Sequence, residues 1–454
     1  MRTKSAELSG WGRYPQVDAT LARPEQYREL AAWAQQASLA RGMGRAYGDA
    51  AISANGTTVL TERLDRLLSF DADTGVLRAE AGVTLDAILR AVMAKGWFLP
   101  VTPGTRYITL GGAIAADVHG KNHHHVGSFG RFVRSFELFT AAGAMTCSSS
   151  QNVPAYQATL GGMGMTGLIG EVELQLKRIP SSNMLVQHVP AANLRESLAL
   201  MSSTEHDDEY TVSWIDCLAS GAKLGRSVFM RGQHADGAHA HGPRDAKLSL
   251  PINVPSAALN RYSVGAFNAL YYRWEGRKTK AFRCDFEPFF YPLDGIKQWH
   301  RLYGKPGFVQ YQFVVAEAAA EACIGDVLKA VSSSGNASFL AVLKRFGEAG
   351  AGLLSFPQAG MTLALDLPLR AGTLALLDRL DAIVVAHAGR VYLAKDARLN
   401  ASMMSAMACL SRPLASVWRW HHDANFNRRR YLCDGSWLRL RLGQTRPAPC
   451  ARWP

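Results

Sequence analysis

Between positions 24 and 40 the residues Tyr27, Leu30, Ala31 and Ala34 recur at helical intervals behind Pro24, which predicts an amphipathic helix with proline in its first turn. A second helix is expected over 85–93. Alternation of period two marks strands instead. Residues 68–81 read as two short strands joined at Asp73-Thr74-Gly75, and Val172, Leu174 and Leu176 alternate with polar neighbours in a strand that Pro180 ends. The run GFVQYQFVV at 307–315 is a further strand with Gln310 and Gln312 on one face. Two glycine-rich segments, 40–50 and 103–130, interrupt the first part of the chain. Beyond Pro180 glycine clusters thin out and aromatic residues accumulate, from Trp214 through Tyr271, Tyr272 and Trp274 to Phe289, Phe290 and Tyr291, so a domain boundary is expected near 180–185. The polar stretch 233–247 has no apolar period and three histidines; a mobile, solvated loop is expected there rather than a metal site.

A length of 454 residues, with 48% hydrophobic and 19% charged positions, fits a soluble globular chain of two domains and excludes disorder and collagen-like sequence. The seven cysteines, 147, 217, 284, 323, 409, 433 and 450, show no CxxC spacing, which argues for reduced thiols rather than a disulfide frame or a zinc site. The first residues lack an apolar leader, and no run of eighteen apolar residues occurs, so neither a cleaved signal nor a membrane span is expected. The formal charge is +13, which invites an acidic polymer as partner. From Cys409 onward, however, nine arginines face only Asp423 and Asp434; this +7 leaves +6 for everything before it. The body is only mildly basic, its charges are not interleaved with aromatic residues in a patch, and nucleic acid is not an expected partner.

The loop RGMGRAYGDA (41–50) carries closely spaced glycines whose N–H groups can approach an anion, beside the guanidinium groups of Arg41 and Arg45. A pyrophosphate suits it, a plain turn being the alternative. A Rossmann unit is disfavoured, because the third glycine falls one residue late for G-x-G-x-x-G and no clear strand precedes the first. Gly104, Gly111 and Gly112 free further backbone donors, and two such loops suggest a long dinucleotide. In HGKNHHH (119–125) three adjacent histidines cannot all face one ion from a regular element, so no metal is expected; His119 and Lys121 share a face if the chain is extended and could supply a proton acceptor and an anion contact. Gln310 and Gln312 suit a pocket for sugar hydroxyls or, equally, a solvent-facing edge. Lys344 and Lys395 stand alone in apolar surroundings, where burial shifts a pKa unless the side chain snorkels.

Taken in order, SGWGRY, RGMGRAYGD, PGTRYITLGGAIAADVHGKNHH, GSFG, LGGMGMTGLIG, KLGR, PGFVQYQFVV, LSFPQAG and YLAKDARL resemble the FAD-dependent oxidases of the vanillyl-alcohol-oxidase type, and within them the decaprenylphosphoryl-β-D-ribose 2′-oxidase branch. The likeness spans residues 8–405, and HGKNHH with QYQF in one chain is a specific combination. It implies an α+β, two-domain PCMH-type fold: an FAD-binding domain at 1–183, an inserted antiparallel-sheet substrate (cap) domain at 184–389, and a return to the FAD-binding domain at 390–454. It further implies that Arg41, Gly42, Met43, Gly44, Arg45, Ala46, Tyr47, Gly48, Asp49 and Ala50 surround the FAD pyrophosphate. Gly104, Thr109, Leu110, Gly111, Gly112, Ala116, Asp117, Val118, His119, Ile169 and Tyr392 would line the rest of the cofactor, and Lys121, Gln310, Gln312, Lys344 and Lys395 the substrate pocket before the isoalloxazine. The catalytic roles expected are Lys395 as the cation near flavin and substrate hydroxyl, His119 as proton relay or orienting group, and Tyr47 as a packing group on the flavin side. Since no histidine lies between Arg41 and Asp49, FAD is expected to be bound non-covalently.

The reaction so implied is hydride transfer from C2 of a polyprenyl-phosphate-linked ribose to flavin N5, giving a 2-keto sugar that a short-chain reductase converts to the arabinose donor for cell-wall polysaccharide. An aldonolactone or alditol oxidase of the same fold is the alternative. A cytoplasmic location with peripheral contact at a membrane surface accords with such a substrate. Two features depart from the family. The segment 360–366 often holds a cysteine where this chain has Ala364, so thiol-directed inhibitors should form no adduct there. After about 408 the chain becomes basic, with four of the ten tryptophans and no sustained period; translation in a shifted frame of a GC-rich gene gives such a composition, a lineage-specific tail being the alternative.

Overall fold

The computed structural model describes residues 2–409 except 37, 55, 204–207, 238–239 and 337. The atypical tail from 410 onward therefore lies outside the described residues. Three sheets carry the architecture. The first is four-stranded, in the order Thr3–Ser9, Gln16–Ala22, Thr57–Leu60, Ser38–Arg41; its outer pair is antiparallel and the others run parallel. The second is a five-stranded antiparallel sheet ordered Leu67–Phe70, Val76–Glu80, Leu168–Gln175, Val133–Thr140, Gly143–Ser148.

Helix Leu85–Val92 packs into the core of this second sheet for reasons legible in its residues. Leu85, Ile88, Leu89 and Val92 fall on one stripe and are fully buried, and Thr84 caps the first turn by accepting the Ala87 N–H at 3.1 Å. The expected hairpin at 68–81 is also formed, by Leu67–Phe70 and Val76–Glu80. The 24–40 helix is not formed as expected. Only a 3-10 turn Tyr27–Glu29 and a short helix Leu30–Ala34 occur, and Ser38–Arg41 is a strand. Parallel pairing with Thr57–Leu60 claims those residues. A strand thus does precede Gly42, although no helix follows it directly, and the Rossmann arrangement remains absent there.

The third sheet is antiparallel and eight-stranded, in the order Phe282–Asp285, Asn183–Ala191, Ser227–His234, Tyr210–Ile215, Ala341–Phe346, Gly360–Pro368, Phe308–Val315, Arg390–Val391. Helices Glu317–Ser334 and Thr373–Ala386 join its apolar core through Ile324, Val327, Leu328, Leu377 and Leu380. Strands of the first two sheets end by residue 175, and those of the third begin at 183. A continuous apolar cluster nevertheless links Leu77, Phe98 and Leu174 to Met184, Tyr210 and Phe286. The stretch 233–247 is not all loop. Strand Ser227–His234 runs into it, and His234 is buried, with Nδ1 2.9 Å from the Ser181 carbonyl. Past 389 the chain first adds Arg390–Val391 to the third sheet. It then crosses to the 41–50 loop, where Ala394 and Asp396 carbonyls accept the N–H groups of Tyr47 and Asp49, before helix Ala401–Cys409 packs beside Thr373–Ala386. Among the described residues no helix is long and apolar enough to cross a membrane.

Candidate active site

A cavity of about 360 Å³ is bounded by the 42–51 loop, the 102–121 segment, residues 163–169 and the inner face of the eight-stranded sheet. Period-two alternation brings the sheet's contribution together. Trp214 pairs with Val342, Val342 with Ala364, and Ala364 with Gln312, so a row across four strands points side chains into the same space. Strand Phe308–Val315 lies inside the sheet and Gln312 is buried, which removes the solvent-edge reading of its two amides.

The glycine loop is shaped by close approaches. Gly44 has φ +62°, and a Cβ there would lie 2.4 Å from the Arg41 guanidinium; on Gly48 it would lie 1.6 Å from the Asp396 carbonyl. Arg41 is a brace, donating to the carbonyls of Ser9 and Ala51 at 2.7 and 3.2 Å. Thr109 caps the short helix Leu110–Ala115, its Oγ1 accepting the Gly112 N–H at 3.1 Å. Of the residues assigned to the cofactor from sequence, Arg41, Gly48, Asp49, Leu110 and Asp117 do not line the cavity, whereas all the others do. Asp117 works behind the wall. It is fully buried at φ +38°, and its carboxylate accepts the Gly130 N–H and the Ser355 hydroxyl.

Lys121, Lys344 and Lys395 all line the cavity, with Arg45, against one carboxylate among the described lining residues, Asp294. Burial, reinforced by Lys344, lowers the Lys121 pKa to about 7, and burial lowers that of Lys344 to about 8. Lys121 donates to the Phe289 carbonyl and sits 4.1 Å above its ring. Lys395 Nζ lies 3.7 Å above the Tyr47 ring; burial lowers its pKa, Asp366 opposes that and Lys344 adds to it. Asp366, fully buried on strand Gly360–Pro368, faces Gln310 across the ladder and accepts a hydrogen bond from its amide; burial pushes its carboxyl upward. Nothing local in the sequence singled out this carboxylate.

His119 is buried among Phe346, Phe356 and Tyr392, with ring centroids 4.7, 5.7 and 5.2 Å away. Its protonation pattern follows from a chain of hydrogen bonds. Thr362 donates to the Phe313 carbonyl at 2.8 Å, so its oxygen accepts from Gln312 Nε2 at 3.2 Å; the other hydrogen of that amide points to His119 Nε2 at 3.0 Å. His119 Nε2 is then an acceptor and Nδ1 carries the proton. Burial first, then Lys344, His123 and Lys395, hold the imidazole neutral well below its usual pKa, and Nδ1 has no protein partner among the described residues. The next three histidines are taken by the protein: His123 contacts Ser128 Oγ and accepts the Gly347 N–H, while His124 and His125 meet the Asp208 carbonyl.

The FAD binding domain family matches residues 15–148, the part holding both glycine loops. A decaprenylphosphoryl-β-D-ribose oxidase of Mycolicibacterium smegmatis is 34% identical over 424 residues, covering 89% of this chain and 92% of the relative. The chain belongs to this family of FAD-dependent oxidases. An uncharacterized protein of Streptomyces coelicolor is 34% identical over 342 residues, covering 72% of this chain and 92% of that protein. L-Gulonolactone oxidase of Scyliorhinus torazame is 28% identical over 170 residues, 37% of this chain and 38% of that enzyme.

FAD is the cofactor of this oxidase family, and the cavity fits it. Among the described residues the backbone N–H groups of Met43, Gly44, Arg45 and Ala46 enter no hydrogen bond with the protein, as an anion-binding loop requires. Arg45 lies 3.8 Å over the Trp11 ring with Nε buried and unpartnered, and a Cβ on Gly104 would meet nothing within 4 Å, leaving that wall open to a ligand. These groups suit pyrophosphate and its neighbours, while Ile169, Ala116 and Tyr392 supply apolar wall. Sequence reasoning missed Trp11, Met163, Gly164, Gly167 and Asp294 as lining groups. Met163 and the glycines stood in the motif LGGMGMTGLIG and Trp11 in SGWGRY, which were the available signals; Asp294 carried none.

Proposed function

We propose that this oxidase removes hydride from C2 of the ribose of a polyprenyl-phosphate-linked sugar, giving the 2-keto sugar as the first half of an epimerisation that a short-chain reductase completes. The observation that carries the reading is the cavity's lysine-rich lining: Lys121, Lys344 and Lys395 beside the amides Gln310 and Gln312, in a chain with a relative named as an oxidase of such a sugar. When bound, FAD accepts the hydride.

The protein's own groups divide the remaining work. Lys121 and Lys344 attract the phosphate, and Gln310 and Gln312 orient the sugar hydroxyls. As the C2–H bond breaks, the proton of the C2 hydroxyl passes to the neutral amine of Lys395, whose proton affinity burial reduces, and the C2 carbonyl forms. The resulting ammonium is held opposite Asp366. His119, neutral and donating through Nδ1, orients the reacting group rather than relaying a proton at neutral pH. Tyr47 keeps Lys395 in place through its ring face. FAD is held non-covalently: among the described lining residues His119 is the one histidine and none is a cysteine, and His119 Nε2 is already engaged by Gln312. A cytoplasmic site of action at the membrane surface fits the lipid substrate.

The test is anaerobic absorption spectroscopy. A polyprenyl-phosphoribose should bleach the flavin while aldonolactones do not, and the reverse result selects the aldonolactone or alditol oxidase reading. Lys395→Ala and His119→Ala proteins should stay yellow and lose turnover; full turnover in either removes its assigned role.

A further inference from the structure

Helix Arg261–Glu275 turns the wrong side outward for an ordinary surface helix. Asn260 caps it, accepting the N–H groups of Tyr262 and Ser263, and Val264 and Asn268 are buried on its inner side. Tyr271, on the same inner side, lines the cavity and packs 4.7 Å from Trp214. The outer face should be polar. Instead it presents Tyr262, Leu270 and Trp274, which are 79%, 68% and 67% exposed, with Phe267 at 45%. At about 100° per residue Phe267, Leu270 and Trp274 fall within about 60° of one another, as a stripe on a helix about 22 Å long, and Tyr262 stands about 80° to the side of Leu270.

The charge around this stripe is one-sided. From 261 to 283 the basic residues are Arg261, Arg273, Arg277, Lys278, Lys280 and Arg283, against the single acid Glu275, which Lys278 and His188 already engage. Arg273, Arg277 and Lys280 make no ion pair among the described residues. Exposed aromatic side chains, a leucine and Arg273 on this helix, with Arg277 and Lys280 just past its end, match the chemistry of an anionic phospholipid surface, where Trp and Tyr settle at the headgroups and basic residues meet the phosphates.

We propose that the outer face of helix Arg261–Glu275 docks the protein on an anionic phospholipid bilayer, seating Leu270 and Trp274 in the interface and holding the Tyr271 side of the cavity near the membrane. Docking itself needs only the helix; its purpose, taking a polyprenyl phosphate directly from the bilayer, rests on the function proposed above.

The test is flotation of the full chain with vesicles of phosphatidylglycerol and phosphatidylcholine, and with phosphatidylcholine alone, in the absence of substrate. The wild type should float with the anionic vesicles, and the double variant Leu270→Ser, Trp274→Ser should bind them at least roughly tenfold more weakly, because two apolar side chains leave the interface. The variant should keep its melting temperature and its flavin reduction by a water-soluble short-chain substrate. Wild-type protein that stays unbound, or a variant that floats as well as the wild type, overturns the proposal; the second result assigns membrane binding to basic residues elsewhere, including those after 409. A wild-type oligomer that the substitutions dissociate, with no change in flotation, also overturns it and gives the face to a second copy of the chain. Helix-dependent flotation in a protein whose flavin polyprenyl-phosphoribose does not reduce supports docking and overturns only the substrate assignment.

Discussion

Gly42 offers a direct test of how the flavin loop is built. A Cβ on this residue would lie 2.2 Å from Thr109 Oγ1 and 2.7 Å from Thr109 Cγ2. The first distance is about 1 Å inside a comfortable carbon–oxygen approach of roughly 3.3 Å. Thr109 cannot simply turn away, because it is buried and its hydroxyl holds the Gly112 N–H as the helix cap. Gly42→Ala must therefore either break that cap, at about 1 kcal/mol, or displace the loop, with overpacking strain of about 1–3 kcal/mol. If half or more of this strain is relieved by moving the loop that carries the N–H groups of 43–46, FAD affinity falls about 2- to 100-fold, each 1.4 kcal/mol being a factor of ten. Gly104→Ala is the matched control. Its Cβ would meet nothing within 4 Å, so the apo-protein should melt as the wild type does while the added methyl projects into cavity space and weakens FAD. Both are read by stripping the flavin, following thermal unfolding of the apo-protein, and titrating FAD back by the quenching of its fluorescence. A Gly42→Ala protein with wild-type melting and wild-type FAD affinity would refute the contact between loop and cap.

Further outcomes follow from the same geometry. The pKa values of Lys121 and Lys344, lowered to about 7 and about 8, lie below the free value of about 10.4, so the unfolded chain binds more protons between these limits and stability rises with pH across that window. Replacing both by Met should flatten that rise in melting temperature between pH 7 and 10, and an unchanged slope would mean the lysines are not the groups titrating. Affinity for a phosphate-bearing substrate runs the opposite way, and KM should climb as pH rises through the same two values. Thr362→Val removes the acceptor that fixes the Gln312 amide; it should cost about 1–3 kcal/mol and slow flavin reduction while FAD stays bound, and unaltered reduction would show that the His119 tautomer does not matter. Ala364→Cys adds a thiol to the cavity wall, so a bulky thiol reagent should modify one further residue and block turnover in the variant alone; inhibition of the wild type to the same degree would contradict a thiol-free cavity among the described lining residues.

Much of this protein's local structure was readable because its causes are local. The stripe of Leu85, Ile88, Leu89 and Val92 and the alternation around Gln310 and Gln312 are periodicities within a single element, and the glycines at 42, 44 and 48 mark conformations or contacts that a Cβ would forbid. The cofactor loop and the lysines could be picked out for the same reason, that their residue types and order in the chain resemble a family. The failures have one cause as well. Residues 38–41 carry enough helical pattern to extend a helix, but parallel pairing with 57–60 outweighs weak propensity, and His234 reads as a loop residue until pairing with Met184 takes it into the core.

The sequence by itself determined which elements form where their period is strong, which loops can approach a dinucleotide phosphate, and which cations and amides are available to a substrate. Only the tertiary structure decided that Tyr47, Asp366 and Lys395 meet, that Thr362 sets the proton position on His119, and that one face of helix Arg261–Glu275 is left uncovered. Periodicity is written over a few residues. Desolvation, the electrostatic neighbours of a buried group and the covering of a helix face depend on segments hundreds of positions apart, and exist only once the sheets have closed around the cavity.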